Sequence, residues 1–176
     1  MTLTRIILAA LLAAGGGLAA QEARFGLQGQ VSIPQGDLKD AVDSKLGLGL
    51  GVHGTFAFDH HVIRPRLDFT FYPEADFGGV EAKVNSMALG ADYLYFVEGK
   101  DRGVYFTAGL SAIRWEVDVN ISGFGSGSSN TTKLGVAGGV GYQWNRAFGA
   151  ELRYVKSSLG HDASANNLVL GATFRF

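Results

Sequence analysis

Nine charged residues are spaced so that they could act together. Arg24, Arg64, Arg66, Lys133, Arg153 and Arg175, with Asp68, Asp92 and Glu151, all lie in segments that alternate with apolar residues. In extended chain, successive side chains point to opposite faces. These charges therefore share a face that the leucines and most aromatics avoid. Enclosed charges must pair and hydrogen-bond to be tolerated. Such a set can fill a narrow interior as a neutral plug, or rearrange as the gate of a small-solute channel.

Other chemistry has weaker support. His60 and His61 follow Asp59 in a short link, where adjacent extended residues point apart and do not chelate one ion. The run Gly123 to Ser129 lacks the lysine and helix of a phosphate loop and reads as a mobile loop. There are no cysteines for a thiolate site or a disulfide. No catalytic, cofactor or metal residue is assigned. A formal net charge of -1 argues against a nucleic-acid partner.

The elements that must hold these residues are strands. Residues 1–20 come first, and they read as a secretory signal. Arg5 is the basic region, Ile6 to Ala14 a short apolar core, and the cut is expected after Ala19 or Ala20. Residues 21–176 then form one domain. Eight period-two segments fall near 23–33, 46–58, 62–72, 84–97, 103–115, 133–144, 147–156 and 167–176. The links between them are long and short in turn, with four on one rim and three on the other. After Ala112 the apolar phase shifts to Ile113, Trp115, Val117 and Val119, which suggests a β-bulge. Pro65 cannot donate to a ladder, so an irregularity is expected there.

Alternation alone also fits a soluble barrel with its apolar face inward. Two features favour the reverse. The polar face is built of Gly, Ala, Ser and Thr, which suits a cramped interior. Aromatics gather at strand ends on the apolar face: Phe25, Phe56, Phe58, Tyr93, Tyr95, Tyr142, Trp144, Phe148, Phe174 and Phe176 toward the tight turns, and Phe69, Phe71, Trp115 and Tyr154 toward the long links. Two aromatic girdles are expected at the two interfaces of a membrane barrel. The fold class is therefore all-β: an eight-stranded antiparallel up-and-down transmembrane β-barrel.

With Leu168, Leu170, Ala172, Phe174 and Phe176 in its last segment, the chain resembles the OmpA/OmpX-like small outer-membrane β-barrel family over about residues 21–176. The resemblance implies bacterial outer-membrane location and export through the cleaved signal. It implies assembly by the insertion machinery, which would read Phe174 and Phe176. It also implies partnership with outer-membrane lipids, lipopolysaccharide included, and a monomeric state. The implied function is a structural or membrane-integrity role with surface interaction through the loops.

The alternatives are a narrow porin-like channel and a lipid A-modifying enzyme. An eight-strand barrel is just wide enough for side chains to fill, which favours the plug over the channel. Outer-membrane lipid A deacylases place a His–Ser–Glu set near a C-terminal strand. Here His161 and Ser164 are three apart, where one strand face requires two. Asp92 is expected beside Arg64, Glu151 near Arg175, and the long side chains of the third and seventh strands in the space left by glycines of the second and sixth. The acidic loop residues Asp37, Asp40, Asp43, Glu74, Asp76, Glu81, Glu116, Asp118 and Asp162 read as a solvated rim.

Overall fold

The computed structural model describes residues 23–99, 102–121, 123, 125–160 and 163–176. The expected signal segment, residues 1–20, lies outside them, as does His161. The chain forms β1 (Ala23–Gln35), a short helix α1 (Asp37–Ala41), β2 (Gly47–Phe58), β3 (His61–Phe71) and a two-residue strand β4 (Ala75–Asp76). It continues through β5 (Val80–Phe96), β6 (Gly103–Ile121), β7 (Gly125–Gln143), β8 (Phe148–Gly160) and β9 (Ala163–Arg175).

Each long strand pairs antiparallel with its neighbours, and two pairings close the ring. β1 joins β9, and β3 joins β5 with β4 set aside on the loop rim. Ladder partners followed from Gly29 reach Arg114 on β6 through β2, β3 and β5. In the other direction they reach Val104 on β6 through β9, β8 and β7. The two ends are ten residues apart, a stagger that tilts the strands by roughly 35–45° to the axis. Closure matters in lipid, where an unpaired strand edge leaves backbone groups without partners at several kcal/mol each.

The apolar rows face out. Phe25, Leu50 and Leu134 are 64%, 68% and 70% exposed, while Arg64 is fully buried. That distribution is the reverse of a soluble barrel and is stable only with acyl chains outside. At Pro65 the expected irregularity is present. The β2–β3 ladder runs to His53↔Arg66 and resumes at Phe56↔Ile63, while Pro65 stays in register with Ala91 on β5. The missing donor thus falls on the β2 side.

Two expectations are corrected. No bulge interrupts β6: its registers with β5 and β7 are continuous past Ala112. Ile113 and Trp115 instead keep the inward phase and are 4% and 2% exposed, so Trp115 belongs to no girdle. Above the level of Ala112 the outer face of β6 carries Arg114, Glu116, Asp118 and Asn120. The apolar residues have changed sides because the outer wall there has left the acyl region. The second correction concerns the glycine-rich run. From Gly125 it is strand, paired with β6 from Ile121↔Gly125 through Val117↔Ser129.

Glycines set how closely the interior packs. A Cβ at Gly139 would lie 2.2 Å from the Leu152 carbonyl oxygen and 2.8 Å from the Arg153 Cα, both backbone atoms of the adjacent strand. At Gly29, on the lipid face, an added Cβ meets nothing within 4 Å. Gly139→Ala is expected to cost about 1–3 kcal/mol, because β7 and β8 must separate to admit the methyl group. Gly29→Ala is expected to be neutral or slightly stabilising. Urea denaturation of the two variants in lipid vesicles checks the contrast, and equal midpoints would refute it.

Candidate functional site

The interior is layered. At mid-height the side chains of β1, β3, β5 and β8 meet in a belt of charge. Arg64 donates through Nη2 to Asp92 Oδ2 at 2.8 Å and to Glu151 Oε2 at 2.6 Å. Arg66 Nη1 reaches Asp92 Oδ2 at 2.8 Å and Glu151 Oε1 at 3.3 Å, and its Nη2 holds Asp68 Oδ1 at 2.9 Å. Arg153 Nη1 reaches the same Asp92 oxygen at 2.9 Å. Three guanidinium groups thus face three carboxylates in a space closed to solvent, and their charges balance. Gln28 joins Arg66 and Glu151 to Gln30, which continues to Thr70. Tyr105 donates to Glu151 at 3.1 Å.

Glycines make room for the belt. A Cβ at Gly51 would collide with Asp68, one at Gly109 with Asp92, and one at Gly171 with Gln28. The long side chains meet as expected, Arg64 and Arg66 of β3 with Glu151 and Arg153 of β8. The glycines that make room for the belt, however, lie on β6 and β9 as well as on the expected β2 and β7, where Gly51 faces Asp68 and Gly139 faces Arg153.

On each side of the belt lies an apolar cluster. On the tight-turn side Val62, Leu94, Phe96 and Tyr105 pack together, with the Phe96 and Tyr105 rings 4.9 Å apart. On the loop side Tyr72, Val84, Ile113, Trp115, Val155, Ala165 and Val169 form a second plug, roofed by Leu38 and Val42 of the α1 segment. Between this plug and the belt lies a cavity of about 50 Å³. That is room for a few waters and far too little for a solute path.

The nine expected interior charges therefore divide. Arg64, Arg66, Asp68, Asp92, Glu151 and Arg153 form the belt. Asp92 lies beside Arg64 on the ladder, as expected from the β3–β5 register. Glu151 turns to Arg64, with Gly171 as its neighbour on β9. Arg175 is buried nearer the tight-turn rim, in the row shared with Gly26 and His53. Arg24 is half-buried at that rim, and Lys133 is exposed on β7, away from the belt. Sequence reasoning passed over Gln28, Gln30 and Tyr105 because they are uncharged, although each keeps the inward phase. His53 is also buried inside, 5% exposed.

The girdle residues Phe25, Tyr93, Tyr95, Tyr142, Trp144, Phe148, Phe174 and Phe176 are exposed on the outer wall, and Phe56 and Phe58 are partly so. His61 joins this belt: its ring stacks on Tyr93, whose hydroxyl lies 2.6 Å from His61 Nδ1. His60 Nδ1 lies 2.8 Å from the Phe96 carbonyl oxygen, so the two histidines serve different partners.

On the loop side, Asp37 Oδ2 accepts the Ser164 amide at 2.7 Å and the Ser164 hydroxyl at 2.9 Å, which ties α1 to β9. These bonds hold the Asp37 carboxyl below its ordinary value of 3.8, the backbone bond most strongly. A depressed carboxyl stabilises above its ordinary value, and the contribution is lost as pH falls through the depressed one. The α1–β9 contact is therefore expected to persist to below pH 3.8 and then release. Carboxyl carbon shifts of Asp37 followed with the Ser164 amide by NMR check this, and a shared midpoint at or above 3.8 would contradict it.

The β6–β7 hairpin extends beyond β8, with β5 paired to it as far as Val80↔Ile121. The β7–β8 ladder ends at Val136↔Lys156, so from Gly125 to Gly135 β7 pairs only with β6. Apart from the Leu134 carbonyl oxygen, which accepts from Ser157 Oγ at 3.3 Å, its other edge is a row of backbone donors and acceptors without a partner strand among the described residues. Strand edges of this kind template pairing with another chain.

A closed ring of eight tilted strands, lipid-facing apolar rows, aromatic girdles and a plugged interior define a small transmembrane β-barrel. The chain matches the family described as outer membrane protein beta-barrel domain over residues 6–176, and it belongs to that family. Its place is the bacterial outer membrane. Solved structures agree in fold. Ail, the attachment invasion locus protein of Yersinia pestis, is 17% identical, with a TM-score of 0.65 over 88% of this chain and 97% of Ail. The N-terminal β-barrel domain of Pseudomonas aeruginosa OprF is 15% identical, with a TM-score of 0.65 over 89% of this chain and 99% of that domain. Neisserial surface protein A is 14% identical, with a TM-score of 0.59 over 88% and 97% of the two chains. No curated protein sequence matches.

Proposed function

We propose that this protein is a non-conducting structural barrel that supports outer-membrane integrity and presents its loop-side surface, above all the β6–β7 hairpin, for contact at the cell surface. One observation carries this reading: a charge-balanced belt between two apolar plugs lies beneath a paired hairpin whose β7 edge has no partner strand beyond Val136. A plugged interior leaves nothing to gate, and a paired hairpin holds its contact surface at little ordering cost. The structure of Ail with the heparin analogue sucrose octasulfate concerns that protein. Here the outer face of the hairpin carries Arg114, Glu116 and Asp118, flanked on β5 by Glu81 and Lys83, a mixed surface that does not favour polyanions. An extended segment of a partner adding to the β7 edge fits better.

In this reading residues 1–20 direct export and are cleaved, and the insertion machinery engages the last strand at Phe174 and Phe176. The barrel then works as a monomer among outer-membrane lipids, lipopolysaccharide included. Two measurements test it. In planar bilayers the protein is expected to give no unitary conductance steps; regular steps would overturn the plug. Deletion of residues 118–129 is expected to abolish surface attachment while unboiled protein still migrates faster than boiled on a gel. Attachment retained by the folded deletion would overturn the role of the hairpin.

A further inference from the structure

On the outer wall, near the loop-side end of the lipid-facing rows, six side chains frame a groove of about 320 Å³. Two ladder rows build it. Phe69, Met87 and Arg114 face one another across β3, β5 and β6, and Phe71, Asn85 and Glu116 form the row above. The aromatic pair makes one wall, the charged pair the other, and β5 the floor. Below Met87 the floor continues into Leu89, which is half exposed on the lipid face. Above Asn85 it reaches Lys83, which faces Asp118 across the ladder.

The groove therefore crosses the line where the outer wall changes from apolar to polar. Its lower row sits at the edge of the acyl region, which begins below it at Leu89 and Ala112. What the groove selects depends on Arg114 and Glu116. They share one face two residues apart, about 7 Å along the strand, with the cation nearer the acyl region. Neither makes a side-chain hydrogen bond or ion pair with another described residue, so both charged ends remain available. A headgroup with its phosphate next to the acyl chains and an ammonium beyond it presents the complementary order of charge.

We propose that this groove binds one lipid through a phosphoethanolamine headgroup. An acyl chain lies along Leu89 and Met87 against Phe69, the phosphate meets Arg114, and the primary ammonium meets Glu116. Planar guanidinium groups suit phosphate oxygens, and an ammonium carries three donors for a carboxylate. The same headgroup occurs on phosphatidylethanolamine and on lipid A decorated with phosphoethanolamine.

Native mass spectrometry of the detergent-solubilised, full-length protein tests this with defined lipids. Phosphatidylethanolamine is expected to bind about tenfold more tightly than phosphatidylglycerol, which has the phosphate but no amine. Glu116→Gln is expected to remove that preference while leaving phosphatidylglycerol binding intact. Arg114→Gln is expected to weaken both by about tenfold. Both side chains are exposed, and the gel mobility of unboiled protein reports that each variant is folded. Equal affinity of the unmodified protein for the two phospholipids would overturn the proposal without any variant, as would an Arg114→Gln protein that binds normally. Lipid A with phosphoethanolamine, compared with phosphatidylethanolamine, then assigns the source: whichever binds more tightly is the occupant.

Discussion

Asp92→Asn is expected to destabilise the barrel by about 3–5 kcal/mol, the range for removing one partner of a buried ionic network. A single oxygen, Asp92 Oδ2, accepts from Arg64 at 2.8 Å, Arg66 at 2.8 Å and Arg153 at 2.9 Å. The four side chains are between 0% and 8% exposed. Asparagine keeps the shape but carries no charge, and its amide nitrogen turns donors toward donors if it takes the Oδ2 position. Three guanidinium groups then share two carboxylates in a space closed to bulk solvent, bordered by a cavity with room for only a few waters. Urea unfolding in vesicles, read by gel mobility, measures the loss as a shift in midpoint at constant slope. Restoring neutrality isolates the electrostatic part: Asp92→Asn combined with Arg153→Met is expected to recover stability relative to Asp92→Asn alone. A loss below about 1 kcal/mol, typical of exposed ion pairs, would mean that the belt is hydrated.

The ion pair behind that prediction was legible in the sequence because antiparallel pairing is arithmetic. Once β3 and β5 are recognised, a connection between them that brings Arg64 near Asp92 fixes the rest of the register. The orientation of the faces was legible too, since Gly, Ala, Ser and Thr opposite leucine cannot describe a water-exposed wall. Glu151 was harder. Its partner Arg64 lies across the barrel on β3, and no local spacing encodes a contact through the interior. Gln28 and Gln30 bridge the belt but carry no charge to mark them. The α1 segment was hidden for another reason: its apolar pair Leu38 and Val42, four residues apart, is embedded among Asp37, Lys39, Asp40 and Asp43. Five residues give no periodicity to read.

The hairpin exposes a limit of propensity. Glycine and serine are depleted in strands, so the run from Gly125 reads as a loop. The facing segment of β6 carries Val117, Val119 and Ile121, which are strong strand formers, and the ladder they start extends along the weak partner. The outer half of this hairpin also inverts the membrane pattern. In lipid the apolar side chains point out, and beyond the lipid boundary they point in. A reader of β6 who assumes one rule for the whole strand must insert a bulge after Ala112, whereas the strand is regular and its surroundings change.

Trp115 is where the two readings of β6 predict different numbers. On the outer wall, as a girdle residue, its replacement by alanine would cost roughly 1 kcal/mol, the typical effect of a point substitution. In the loop-side plug, packed among Ile113, Val84, Val155 and Val169 and 2% exposed, Trp115→Ala is expected to cost about 3–5 kcal/mol. The indole N–H has no hydrogen-bond partner among the described residues. Trp115→Phe therefore gives up contact area without stranding a polar group, and it is expected to cost less than half as much as the alanine. Fluorescence gives an independent check, because the chain has two tryptophans and Trp144 is 60% exposed on the tight-turn girdle. In vesicles of brominated lipid, Trp144→Phe is expected to leave an emitter that bromine barely quenches, while Trp115→Phe leaves one that is strongly quenched. Strong quenching of the lone Trp115 would return it to the outer wall and reinstate the bulge. Because the charge belt and the Val62–Leu94–Phe96 plug still close the barrel beneath the enlarged cavity, Trp115→Ala is expected to lower stability without opening a conducting path.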